Sequence, residues 1–337
     1  MTTVIGTHVE ESLAIARRAL AQFDFSPRAA LDVVSLAENV TFRIEDPVAN
    51  ERAALRIHRA GHHDVAQIKS ELLWLDALAQ TRCVEVPPPI AAISGDRVAR
   101  IETLDGERLA TVVGWVDGAA PIATAASGDL APSFATLGAV AARLHDQVEG
   151  WRLPPGFCRR PWNAEQLLGP RPAFGSWREA IGLGAEELAI LTAAESAVRR
   201  DLASFPVGRG DFGLVHGDLR PSNLLLDVKD GRQVVRVIDF DDCGPSWFMY
   251  DFGSAVSFME DDPRVDRLAD AWATGYRTVR ELSAAAEAQL PTFVMLRRLV
   301  LLGWVARNHG TATEAAAHGS GFTDGACALA ERYLAGR

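Results

Sequence analysis

Apolar residues change their spacing once along this 337-residue chain, close to Val116, and that change narrows the possible folds more than any single motif. Before it, short alternating or β-branched runs recur between polar turns: Ala30–Leu36, Val40–Ile44, Ala53–His58, Arg97–Thr103 and Leu109–Val116. Turns are read at Glu38-Asn39, Glu45–Asn50 and Asp105-Gly106, and Pro87-Pro88-Pro89 closes a helical segment. Two helices accompany these strands. Val9–Ala21 is amphipathic, and Asp64 caps a segment in which Ile68, Leu72, Leu75 and Leu78 recur at helical spacing. After Val116 long helical patterns take over, across Phe134–Val148, Ser176–Ser204, Val265–Ala286 and Phe293–Asn308. One β-rich insert interrupts them, Leu224–Val228 and Val234–Ile238 around Lys229-Asp230-Gly231. Asp117-Gly118 and the small residues through Gly128 read as a hinge. The expectation is an α+β chain, with a small five-stranded lobe over residues 1–116 and a larger, mainly helical lobe over 117–337.

Composition limits the classes of function. With 48% hydrophobic and 23% charged residues, the chain has the make-up of a globular protein rather than a disordered or collagenous one. Its 34 basic and 44 acidic side chains leave a charge of −10, which argues against a broad nucleic-acid footprint. Only Lys69 and Lys229 are lysines; every other basic residue is arginine. Residues 1–20 carry Glu10, Glu11, Arg17 and Arg18 at helical spacing, unlike the apolar stretch of a signal peptide. The best candidate for a membrane span, Phe293–Val305, is broken by Arg297 and Arg298. Cys83, Cys158, Cys243 and Cys327 are widely spaced and form no CxxC pair, so neither a disulfide framework nor a structural zinc site is expected. The reading is a cytoplasmic protein without nucleic-acid or membrane partners.

One stretch carries chemistry. Residues 215–223 read Val-His-Gly-Asp-Leu-Arg-Pro-Ser-Asn, and residues 237–242 read Val-Ile-Asp-Phe-Asp-Asp. Asp218 and Asn223 bracket a tight loop, and Asp239 follows the return strand of a hairpin. Two carboxylates and an amide oxygen gathered this way are hard oxygen ligands. They suit Mg²⁺, which takes one or two protein carboxylates together with phosphate oxygens and water. Phosphoryl transfer needs such a set: a group that orients a hydroxyl, and ligands for metal on the nucleotide.

The pattern His-Gly-Asp-x-x-x-x-Asn followed by Ile-Asp-Phe resembles the catalytic core of the aminoglycoside phosphotransferase-like kinases. That superfamily includes aminoglycoside, choline, homoserine and hydroxylysine kinases and the stress-response kinase of the RdoA type. It is similar to the protein-kinase pattern HRDLKPxN…DFG. The resemblance implies a two-lobed, protein-kinase-like fold with a five-stranded antiparallel N-lobe, and ATP and Mg²⁺ as cofactors. It implies that Asp218 orients the substrate hydroxyl, that Asn223 and Asp239 hold the metal, and that Arg220 steadies charge on the transferred phosphoryl group. His216 would support the loop by packing and a hydrogen bond, and Asp251 of Tyr-Asp-Phe-Gly would brace it. Asp211-Phe212-Gly213 precedes the loop, the wrong order for a metal-binding triplet, so Asp239 is the better ligand.

Kinases pair a strand lysine with a helix glutamate to hold the phosphates. Here Ala54-Leu55-Arg56-Ile57-His58 puts Arg56 in the lysine slot and offers Glu71 as its partner. Arginine keeps the charge but differs in reach and fork geometry. The loop Ser35–Asn39 lacks GxGxxG, so the phosphates would be met by backbone N–H groups and by Ser35 or Asn39; a plain β-turn is the other reading.

Residues 218–262 hold ten acidic and four basic side chains, a net of −6. Asp241, Asp242 and the run Glu260-Asp261-Asp262 could attract a substrate amine, and the run also reads as a solvated loop leading to Pro263. Trp247, Tyr250, Trp272, Tyr276 and Trp304 either wall a pocket, Trp247 first among them, or pack a core. Only eleven residues, 240–250, separate Asp239 from Asp251, too few for an activation segment that docks a peptide. The expected function is an ATP- and Mg²⁺-dependent kinase acting on the hydroxyl of a small amino alcohol, amino acid or amino sugar. Two alternatives stay open: a serine/threonine protein kinase of the RdoA type, and a nucleotide-binding regulator without turnover.

Overall fold

Strand alternation decides which side of the N-terminal sheet is buried. The computed structural model describes residues 2–36, 39–121, 128–229, 231–310 and 312–336. Residues 122–127 of the predicted hinge, and Ala37, Glu38 and Asp230 of predicted turns, lie outside the described residues. The chain divides into two units, Met1–Gly118 with Leu153–Cys158, and Ala119–Arg152 with Arg159–Arg337.

In the first unit, α1 (Thr2–Leu20) precedes β1 (Ala30–Leu36), β2 (Val40–Asp46), β3 (Glu51–Ile57), α2 (Val65–Thr81), β4 (Pro89–Ile90), β5 (Ala99–Thr103) and β6 (Gly106–Gly114). The strands form one antiparallel sheet in the order β1-β2-β3-β6-β4, with β5 also on β6. The sequence predicts five of them. The sixth, β4, starts at Pro89 inside a run that reads as a stop, because proline lacks the N–H a central strand needs. Thr103 pairs with Gly106, so the hairpin turns on Leu104-Asp105, one residue before the predicted site, with Gly106 at φ 112.

On β3, Ala53, Leu55 and Ile57 are buried in one cluster with Ile15, Ala16 and Ala19 of α1. The pleat turns Arg56 to the opposite face, between Thr41 of β2 and Thr111 of β6. Helix α2 begins at the predicted cap: Asp64 Oδ1 accepts from Gln67 N at 2.8 Å, and Gln67 Oε1 accepts from Asp64 N at 3.1 Å. Its buried side includes Ser70, whose Oγ accepts from Cys158 N at 2.8 Å. That bond ties Leu153–Cys158 to the first unit, a return that a single cut after residue 116 does not anticipate.

The second unit holds α3 (Ala131–Gly150), α4 (Ala164–Leu168), α5 (Ala185–Ser204), β7 (Phe212–Val215), β8 (Leu224–Lys229), β9 (Arg232–Val237), β10 (Gly244–Trp247) and α6 (Tyr250–Ala255). There follow α7 (Val265–Arg277), α8 (Ala284–Glu287), α9 (Leu290–Asn308), α10 (Thr313–Ala316) and α11 (Ser320–Ala335). Helices α3 and α7 cross closely at glycines: a Cβ on Gly138 would meet the Trp272 carbonyl, and one on Gly275 the Ala135 carbonyl.

Two predicted helices are shorter than their apolar periodicity implies. The Ser176–Ser204 pattern yields a single 3₁₀ turn at Trp177–Glu179, then Gly182 at φ +79, and only then α5, capped at Gly184 by Glu187. The Val265–Ala286 pattern ends at Arg277, and Ser283, accepting from Ala286 N at 3.1 Å, starts the short α8. Residues Ala284–Asn308 are long and apolar enough to cross a membrane by length and composition, but 83% of that apolar window is buried inside the fold, as in a core helix.

Candidate active site

The predicted loop is built where two short ribbons are joined twice. β7 pairs with β10 so that Val215 faces Gly244, and β8 pairs with β9 so that Leu224 faces Val237. The connections 216–223 and 238–243 therefore run between the same two ribbons and lie side by side. Ile238 N donates to Asn223 O at 3.0 Å, and His216 Nε2 lies 3.0 Å from Ile238 O. The His216 ring also packs against Phe240 at a tilt, centroids 4.5 Å apart. Gly217 sits at φ +80 with no room for a Cβ beside the Asp242 carbonyl, so only glycine fits there.

Asp251, in the first turn of α6, holds the start of this loop. Its Oδ1 accepts from Gly217 N at 2.9 Å and its Oδ2 from His216 N at 3.2 Å. Behind it, His145 of α3 places Nε2 3.1 Å from Asp251 Oδ2 and Nδ1 3.0 Å from the Tyr276 hydroxyl. Burial drives the His145 pKa below its ordinary value despite the adjacent Asp251 carboxylate, so the ring is neutral and passes a hydrogen bond rather than a charge. Ser254 of α6 adds a further hold, accepting from Leu219 N at 3.1 Å.

Asp218 lies at the centre. Arg297 Nη2 of α9 donates to its Oδ1 at 2.8 Å, and Asn223 Nδ2 donates to its Oδ2 at 3.0 Å and to its carbonyl at 2.8 Å. Arg220 Nε is 3.3 Å from Oδ2. Burial would raise the Asp218 pKa, but Arg220, Arg297 and His216 outweigh it and hold the carboxyl below the usual range. Arg220 in turn pairs through Nη1 with Glu314 Oε1 at 2.8 Å, and its guanidinium stands 5.9 Å from the Phe258 ring centroid.

Asn223 spends its amide nitrogen on Asp218, which leaves its Oδ1 outside those bonds. Asp239 stands next to Ile238, the residue whose N–H is bonded to Asn223 O, and takes the left-handed conformation at φ 66 and ψ 62. A short polar side chain tolerates that region better than most. An amide oxygen and an exposed carboxylate on adjoining backbones are the hard donors a divalent cation such as Mg²⁺ takes, so the residues fit the group that the fold implies.

The following turn is pinned by residues outside the motif. Arg159 donates Nε to Cys243 O at 2.7 Å and Nη2 to Asp241 O, and Trp162 Nε1 donates to Asp242 O at 2.5 Å. Asp241 is buried, and its carbonyl belongs to this scaffold. Trp247 is buried in β10, edge-on to Phe212 at 5.5 Å and near Phe293 at 6.1 Å, which is a core position and not a pocket wall. Tyr250, Trp272 and Tyr276 are likewise buried. The run 260–262 departs from both of its readings: Glu260 is buried 3.2 Å from Arg298 Nη1, Asp261 pairs with Arg298 Nη2 at 2.5 Å, and Asp262 pairs with Arg264 at 2.7 Å. These carboxylates answer arginines of the chain itself.

In the first unit, Arg56 Nη1 and Glu71 Oε1 are 3.3 Å apart, as their slots predict. Ser35 is not in a loop: it is a residue of β1 opposite Thr41, just after a register shift. Asn39 Oδ1 accepts from Arg59 N at 2.9 Å, which commits that atom to the chain. Sequence reasoning missed His145, Arg159 and Arg297. The available signal is weak: for Arg297 and Arg298 it is two charges inside an otherwise apolar helix, which must find partners if the helix is buried.

Comparison with known proteins follows the same outline. Residues 32–282 match the phosphotransferase enzyme family, APH. The solved structure of a microcompartment-associated aminopropanol kinase is 42% identical, with a TM-score of 0.87 over 96% of this chain and 98% of that one. An amicoumacin kinase solved with AMP-PNP, Ca²⁺ and Ami shares the fold at 21% identity, with a TM-score of 0.75 over 98% of this chain and 96% of its own. An uncharacterized protein of Deinococcus radiodurans is 29% identical over 284 residues, 82% of this chain and 77% of the relative. The matched span runs through the antiparallel sheet and on past the two connections that carry Asp218, Asn223 and Asp239, and the chain belongs to the phosphotransferase enzyme family, with the kinase-like α+β fold.

Proposed function

We propose that this phosphotransferase moves the γ-phosphoryl group of ATP, with Mg²⁺, to the hydroxyl of a small amino alcohol of the aminopropanol class. The observation that carries the acceptor class is the 42% identity to an aminopropanol kinase over nearly the full length of both chains. Asp218 accepts a hydrogen bond from the acceptor hydroxyl and aims it. Asn223 and Asp239 would hold the metal, which would supply positive charge to offset that of the phosphates. Arg56, steadied by Glu71, is the cation for the nucleotide phosphates, and Arg220 offsets charge on the group in transfer. His216 and Asp251 keep the loop in shape. Catalysis of this kind rests on positioning and on charge stabilisation.

Two features support a small acceptor. Residues 240–250 are short and are pinned by Arg159 and Trp162, which leaves no length for a peptide platform. Glu314 pairs with Arg220, which faces Asp218, and with 44% of its side chain exposed it keeps solvent-facing carboxylate surface that an ammonium group on the acceptor would meet. The four free cysteines fit a reducing, cytoplasmic setting.

The test is ADP release over a panel of 1-amino-2-propanol, ethanolamine, choline, homoserine, serine, sugars and aminoglycosides, with the phosphorylated product identified by mass. Highest kcat/KM on a short amino alcohol is expected. Transfer to protein alone, with no small acceptor used, would overturn the reading. Asp218→Asn should lower kcat by about 10²–10⁴-fold.

A further inference from the structure

We propose that Arg297 is the positioning residue of the phosphoryl-transfer site: its guanidinium fixes Oδ1 of Asp218, and with it the direction in which the acceptor hydroxyl is held. This rests on the reading of Asp218 given above. Arg297 lies on α9, a helix buried on almost every side, and is itself only 5% exposed. A guanidinium in such a place must be matched by acceptors. It is matched at each of its nitrogens. Nε donates to Ser257 Oγ at 2.8 Å, Nη2 to Asp218 Oδ1 at 2.8 Å, and Nη1 faces the Tyr250 hydroxyl at 3.4 Å and the Gly217 carbonyl at 3.5 Å.

These partners all belong to the loop or to the segment that braces it. Tyr250 stands beside Asp251, which holds the backbone of His216 and Gly217. Ser257 donates to Ser254 O at 2.6 Å, and Ser254 Oγ accepts from Leu219 N. One rigid fork therefore registers the Asp218 side chain against the two segments that fix its main chain.

The carboxylate is held at both ends. Asn223 and Arg220 face Oδ2, whereas Arg297 takes one side of Oδ1. A carboxylate oxygen offers two lone pairs, so the second lone pair of Oδ1 is the one left for a hydroxyl. Without Arg297 the carboxylate would be held at one oxygen only and free to turn about its Cβ–Cγ bond. Lysine would keep the charge but cannot span Ser257 and Asp218 together, because it lacks the planar fork.

The next residue supplies an internal control. Arg298 is equally buried on the same helix, but it pairs with Glu260 and Asp261 and lies 4.0 Å from the Phe322 ring centroid; none of these contacts involves Asp218. Loss of Arg298 should cost stability without redirecting the hydroxyl.

The experiment compares Arg297→Lys and Arg298→Lys by melting temperature and by kcat and KM, using the best acceptor of the panel, below the melting point of each variant. A different acceptor class would thus overturn the substrate assignment and leave this test intact. For Arg297→Lys the expected result is a kcat lowered by about 100-fold with the KM for ATP within about twofold, as for a reactant misplaced by about an ångström. Arg298→Lys should keep its kcat. If Arg297→Lys does not fold, Arg297→Ala is assayed with added guanidinium, which should restore kcat and leave the KM for ATP unchanged. The proposal is overturned if Arg297→Lys keeps near-normal kcat, if Arg298→Lys loses as much, or if guanidinium restores nothing in a folded Arg297→Ala.

Discussion

Asp218 illustrates how a residue named by a motif acquires its properties from residues far away in sequence. Spacing alone brings Asp218, Asn223 and Asp239 together, because a tight loop and a hairpin return are local events. Arg297 and His145 arrive from helices 79 positions after Asp218 and 106 before Asp251, and no local pattern ties them to the loop. This has a measurable result. Asp218→Ala leaves the Arg297 guanidinium buried without its carboxylate, and breaking such a pair costs about 3–5 kcal/mol. Asp218→Asn keeps an oxygen for Arg297 and should be distinctly more stable than the alanine variant in denaturant unfolding, although both lose turnover.

Glu260 makes the same point through pH. Burial, only partly offset by Arg298, pushes its carboxyl up to about 7 from an ordinary 4.5. Between those values the folded chain binds more protons at this site than the unfolded chain, so this residue's contribution to stability falls as pH rises through the window and levels off above it. Glu260→Gln should flatten that part of the melting-temperature profile. A profile identical to that of the unaltered protein would count against a raised Glu260.

Among elements, the legible parts were those with both a period and a start signal. Asp64 begins α2 where expected because the cap and the apolar periodicity agree. The helices within Ser176–Ser204 and Val265–Ala286 are shorter than their apolar spacing implies, because that spacing continues across Gly182 and Ser283, whose backbone requirements override it. Packing between elements was not legible. The α3–α7 crossing depends on Gly138 and Gly275 having no Cβ, and Gly138→Ala should destabilise the chain by about 3 kcal/mol by overpacking, seen as a lower denaturant midpoint. At the loop, Asp251→Asn should speed hydrogen exchange at the His216 and Gly217 amides, which share its carboxylate, and reduce kcat as the loop loosens.

For the whole molecule, the order of a sheet-bearing unit and a mainly helical one followed from the single change of apolar period near Val116. The exact partition did not, because Leu153–Cys158 joins the first unit through Ser70, a contact between residues 88 positions apart. Ligand linkage tests nucleotide binding. ATP with Mg²⁺ at about 100 times its Kd should add about 2.7 kcal/mol to stability. Asp239→Asn should lose the part of the thermal shift that depends on Mg²⁺.

The Arg56–Glu71 pair also governs how the protein reacts with amine-directed chemistry. With Lys69 of α2 bound to Asp96 and Lys229 ending β8, Arg56, the cation proposed here for the nucleotide phosphates, carries no primary amine. Reagents that acylate or form imines with amines should therefore leave this position unlabelled. Lysine acetylation cannot silence that position either. Nor will its charge be lost at alkaline pH, since a guanidinium stays protonated throughout the range in which proteins stay folded.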